Sequence, residues 1–62
     1  MKENSRVEIT IGREDGDKGS YHADVDEIWG GEWVDGGRVY GENKTELILN
    51  IAKELARILG VK

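Results

Sequence analysis

Sixty-two residues make one domain, and a domain this small buries only about 60% of the surface its unfolded chain exposes. The chain has no cysteine, which excludes disulfides and cysteine-based zinc sites as supplements to the core and leaves homo-oligomerisation, a dimer first, as the expectation. The net charge of −4 is divided: residues 1–42 hold eleven acidic residues against five basic ones (Lys2, Arg6, Arg13, Lys18, Arg38), and residues 43–62 four basic against two acidic. The amino-terminal part therefore repels phosphate and suits either solvent or a basic protein.

From Arg6 to Arg13 the chain reads RVEITIGR, where Val7, Ile9 and Ile11 alternate with Glu8, Thr10 and Gly12 at the period of a half-buried strand. EDGDKGS then reads as a turn, its Asp and Gly residues supplying local hydrogen bonds and positive φ angles. DGDKG resembles the opening of a calcium loop, but Ser20 stands where that loop requires glycine.

SYHADVDEIW gives a second strand, antiparallel to the first, with Tyr21, Ala23, Val25 and Trp29 on one parity and His22, Asp24 and Asp26 on the other. The second set brings imidazole and carboxylates side by side, yet ligands about 7 Å apart along a strand converge poorly on one ion, so no metal or other cofactor is expected. No serine or cysteine nucleophile stands beside a base, no glycine pattern cradles phosphate, and one histidine is the sole acid–base candidate of its kind, which argues against an enzyme.

Gly30-Gly31 and Gly36-Gly37 bracket EWVD and suggest a bulge, a tight hairpin or a flap. One more short strand follows over Arg38 to Glu42. The two tryptophans carry a large apolar payload, and at least one is expected to complete the core beneath the helix. The other, beside acids, has the composition of a binding hot spot with a charged rim. This reading makes Asp24, Asp26, Trp29, Glu32, Trp33 and Asp35 the candidate contacts for a protein partner.

The helix begins after Asn43, a capping residue, with Glu46 placed to return a bond to the cap's own N–H. Leu47, Ile48, Ile51, Leu55, Ile58 and Leu59 form the face expected to pack on the sheet, and Gly60 stops the helix. Leu49 lies about 130° from the centre of that stripe, close to Ala56, and the pair is the candidate self-association surface. The expected fold class is α+β: a three- to four-stranded antiparallel sheet with one carboxy-terminal helix on one face, in a single domain over residues 1–62.

Two families share this ending. Gly41, Lys44, Glu46, Asn50, Ala52, Lys53, Ile58 and Leu59 resemble the last strand and closing helix of a double-stranded-RNA-binding domain. That family grips phosphates with lysines at the start of this helix; here only Lys44 is present, Thr45 and Ile48 follow, and EDGDKG replaces the histidine-containing loop. Nucleic-acid binding is accordingly not expected.

The fuller resemblance, from Val7 to Leu59, is to the HicB-like antitoxin domain. VDEIWG (residues 25–30) corresponds to that family's turn after strand two, and GENKTELILN (41–50) to its helix start, with Gly41, Glu42, Glu46 and Asn50 matching. Asn43 replaces the family's capping threonine and Leu47 its alanine, both prolines of the turn are absent, and GEWVDGG adds about half a dozen residues. No room is expected for the DNA-binding domain that such antitoxins often carry. The resemblance implies a non-catalytic, cytoplasmic module that neutralises a small basic ribonuclease toxin through the acidic strand face. The alternative is a stand-alone oligomerisation domain with no ligand. No apolar run approaches the roughly 18 residues of a membrane span, and no signal peptide is evident.

Overall fold

The computed structural model describes residues 1–13 and 20–61. The chain runs β1 (Arg6–Arg13), β2 (Tyr21–Trp29), β3 (Glu32–Gly41) and α1 (Lys44–Leu59). The three strands form one antiparallel sheet in the order β1-β2-β3, so β2 is central and β1 and β3 are edges. The turn expected over EDGDKG, and with it the calcium-loop likeness, lies outside the described residues.

β3 begins at Glu32, six residues earlier than the short strand the sequence suggests, because the glycine-bracketed segment is itself part of the ladder. Gly30 (φ 62°) and Gly31 (φ 80°) form the two-residue turn, both in the left-handed region that tight hairpins require. Trp29 pairs with Glu32 and Ile28 with Trp33, but Glu27 pairs with Asp35, so Val34 is the extra residue of a β-bulge. Beyond it Gly36 (φ 138°) faces the β2 backbone so closely that a Cβ would stand 2.1 Å from the Val25 carbonyl oxygen.

The register assigns the two faces. Val7, Ile9 and Ile11 of β1 share a side with Ala23, Val25 and Glu27 of β2 and with Asp35, Gly37 and Val39 of β3. The helix lies on this side, touching β3 and β2 but not β1. Gly37 and Gly41 are what let it come near: a Cβ on Gly41 would be 2.4 Å from the Leu47 nitrogen, and one on Gly37 3.1 Å from Glu54 Oε2. The resulting core is Ala23, Val25, Leu47 and Ile58.

This placement corrects two expectations. Ile48 and Leu59 do not pack on the sheet but are exposed, because the helix is seated over β3 and β2 and its far flank overhangs the bare β1 row. Neither tryptophan enters the core: Trp29 is 48% and Trp33 61% exposed. Both sit at the hairpin end: Trp29, on the helix side, lies past the residues the helix covers, and Trp33, paired with Ile28, is on the opposite face of the sheet.

The helix termini are closed as their residues require. Asn43 is extended (φ −144°, ψ 173°) and its side chain accepts from the Glu46 N–H at 2.8 Å. Glu46 Oε1 accepts from the N–H of Glu42 at 3.3 Å, one residue before the cap whose own N–H the sequence pattern nominates. Gly60 (φ 77°) ends the helix, and the Val61 N–H donates to the Ala56 carbonyl at 2.9 Å.

Candidate binding face

The six candidate contact residues do not share a surface. Alternation along β2 puts Asp24 and Asp26 on the sheet face opposite the helix, and pairing with Ile28 puts Trp33 there too. Asp35 projects from the helix side, where Arg57 reaches it from α1. Trp29 and Glu32 oppose each other at the hairpin end, and the Lys2 ammonium stands 5.0 Å from the centre of the Trp29 ring.

On the open face the acids are largely occupied. Arg38, directly across from Asp24, donates to both of its carboxylate oxygens at 2.8 and 3.1 Å. That hydrogen-bonded guanidinium holds the Asp24 carboxyl below its usual range. Arg6 Nε donates to Glu8 Oε2, two residues along the same strand, at 2.8 Å. Asp26 instead accepts the Trp33 indole N–H at 3.0 Å, which fixes an exposed aromatic ring against a carboxylate. The strand face is thus a mixed-charge surface with its least compensated acid, Asp26, beside Trp33. His22 lies across Gly12 of β1, where a Cβ would be 2.8 Å from the ring nitrogen Nε2.

The helix side holds a carboxylate that alternation alone marks out. Glu27 is an acid on the apolar parity of β2 and is only 3% exposed. The amino-terminal segment covers it: the Lys2 backbone N–H donates to Glu27 Oε2 at 2.7 Å, and this bond, with help from Ser5, lowers its pKa against the effect of burial. An acid at an inward-facing position is a signal the sequence carries, and its meaning is structural, since it anchors residues 1–5. Nearby, Arg57 binds Asp35 at 3.1 and 3.3 Å and Glu54 at 2.8 and 2.9 Å, and it lowers the pKa of both carboxylates.

Among the described residues no three His, Asp or Glu side chains converge to hold a metal ion, and no concave pocket is present. No described helix is long and apolar enough to cross a membrane. Leu49 is exposed and Ala56 half-buried on the outer side of α1. No family model, curated protein or solved structure matches the chain.

Proposed function

We propose that the chain is a non-catalytic protein-binding module, HicB-like in its strand and helix order, that takes a small basic protein such as a ribonuclease toxin on its open sheet face. The observation that supports this most directly is Trp33, an exposed indole held by Asp26 on a sheet face that no other described element covers. A rigid, amphipathic ring with a charged neighbour is the residue type and setting that dominates protein interfaces. Asp26 and Glu32 supply the negative rim for a basic partner, while Asp24, already bound by Arg38, contributes less.

The test is capture by the tagged protein from a lysate of its source cells at low and high salt, with Trp33→Ala and Asp26→Lys in parallel. A small basic protein retained by the native chain, released by salt and lost from both variants supports the reading. Retention that both variants leave unchanged refutes the assignment of this face.

A second reading, a stand-alone oligomerisation domain with no ligand, is favoured by a different observation: Ile9 and Ile11 of β1 and Ile48 and Leu59 on the adjoining flank of α1 are exposed. Recovery of the bait alone would favour it.

A further inference from the structure

The helix is apolar over far more of its circumference than its own sheet covers. At about 100° per residue, apolar side chains run from Leu47 and Ile58 beneath, through Ile48 and Leu59 at the side, to Leu49 and Ala56 on top, an arc of roughly 200° broken by Lys44 and Thr45 of the first turn, where a helix on a single sheet needs about half that. Asn50 and Arg57, on the opposite flank, reach Tyr40 and Asp35 of β3. The Ile48 flank therefore faces the other way, over β1. There Ile9 and Ile11 are 44% and 59% exposed on the same side of the sheet. One surface thus presents a helix flank that lacks a sheet and, beside it, a strand row that lacks a helix.

A second copy satisfies both at once. We infer that two chains associate about a two-fold axis parallel to the helices, so that the two helices lie side by side in one layer between two sheets. Each helix rests its Leu47 side on its own sheet, its Ile48–Leu59 side on the other helix, and its Leu49–Ala56 side on the β1 row of the other copy. This inference deepens the self-association reading and is independent of the basic partner proposed for the open face.

The dimensions agree. Strands are about 4.8 Å apart, so β1 lies about 7 Å from the line between β2 and β3 over which α1 is seated. A second helix packed against the first at 8–10 Å lies above β1.

The axis direction also sets the register, because rotation about it leaves every residue at its own height. Leu47 stands over Gly41, which leads across Tyr21 to Arg13, and Glu54 stands over Gly37, which leads across Val25 to Ile9. Leu49 falls near the first of these levels, at that of Gly12, so on the helix side of the other copy it meets the row between Ile11 and Arg13, within side-chain reach of Ile11.

The chain exposes more surface than its mass calls for. The chain exposes 4569 Å², whereas a folded monomer of 6.9 kDa ordinarily exposes roughly 4,000 Å². The excess, about 570 Å² per copy, approaches the roughly 600–800 Å² that each partner gives to a specific interface. The six side chains at the centre of the contact, Ile9, Ile11, Ile48, Leu49, Ala56 and Leu59, are uncharged, and the charged Arg13 and Lys44 lie at its end, as a polar rim does.

Sedimentation equilibrium of the native chain and of Leu49→Lys and Ile11→Lys tests the association, and cysteine cross-linking tests its geometry. A mass twice that of the chain is expected, with dissociation at least tenfold easier in either variant. Because the native chain has no cysteine, Ile11→Cys mixed with Leu49→Cys is expected to give a disulfide-linked dimer on mild oxidation, and Thr10→Cys, on the opposite sheet face, mixed with Leu49→Cys is expected to give none. A monomer at all concentrations up to about 1 mM would overturn self-association altogether and assign the apolar surface to a different protein. A dimer that Ile11→Lys leaves intact, or that shows no selective Ile11–Leu49 cross-link, would retain self-association and overturn this arrangement.

Discussion

Gly41 lies directly beneath Leu47, so close that the Cβ of any other residue would be 2.4 Å from the Leu47 nitrogen and 2.7 Å from its Cα. The obstructing atoms are backbone and cannot rotate away. Gly41→Ala must lift the first turn of α1 off β3 and is expected to destabilise the fold by about 1–3 kcal/mol, the usual cost of overpacking. Urea unfolding followed by circular dichroism measures it, and a loss under 0.5 kcal/mol would show that the helix is not seated on this glycine.

Gly36 and Gly30 make a contrasting pair. Gly36 combines φ 138° with the Val25 carbonyl oxygen in the space a Cβ would take, so Gly36→Ala is expected to lose about as much as Gly41→Ala. At Gly30 nothing lies within 4 Å and φ is 62°, a value asparagine tolerates in this turn. Gly30→Asn should change the unfolding midpoint little, within about 0.5 kcal/mol. Equal losses at both positions would contradict the bulge and turn assigned to this hairpin.

Asn43→Ala removes the side-chain acceptor of the Glu46 N–H and is expected to cost about 1 kcal/mol, with Asn43→Asp retaining most of it. Thermal melts of the three proteins, compared at matched concentration so that association does not intrude, decide the point.

Acid should weaken the fold in a defined direction. Glu27 and Glu54, with an ordinary value of 4.5, and Asp24 and Asp35, with 3.8, all have lowered pKa values in the folded chain. The unfolded chain then binds more protons than the folded one between each pair of values, so stability rises with pH there. This contribution is complete above about pH 4.5 and is lost as pH falls through the lowered values. Urea midpoints taken downward from pH 6 should decline below pH 4.5, and Glu27→Gln should flatten part of that decline. A flat profile would show that these pairings do not persist in solution.

Both tryptophans should report water. With Trp33 and Trp29 at the hairpin end and outside the core, intrinsic fluorescence of the folded chain is expected to resemble that of free tryptophan and to be quenched readily by acrylamide. Protection of both rings would mean that association covers the hairpin end rather than the β1 row and the α1 flank.

The sequence by itself determined the element order, since alternation in RVEITIGR and YHADVDEIW and the 3.6-residue period after Asn43 depend only on neighbouring residues. It also determined the ends of the helix, because Asn43 and Gly60 act through their own backbone and side-chain atoms. It marked the surface position of Leu49, whose distance from the stripe centre follows from helix geometry alone. What it left open was which side of β3 meets the helix, and that depends on a single residue.

Without the bulge at Val34, Arg38 and Tyr40 would point toward α1, since a shift of one position exchanges the two faces of a strand. With it, Gly37 and Gly41 face the helix, the helix settles over β3 and β2, and Ile9, Ile11, Ile48 and Leu59 are left outside the core. The same shift places Arg38 across from Asp24 and compensates an acid that composition counts as free. Such outcomes are set by pairing across the hairpin, from Ile28 with Trp33 to Asp24 with Arg38, and only the folded chain brings those residues together.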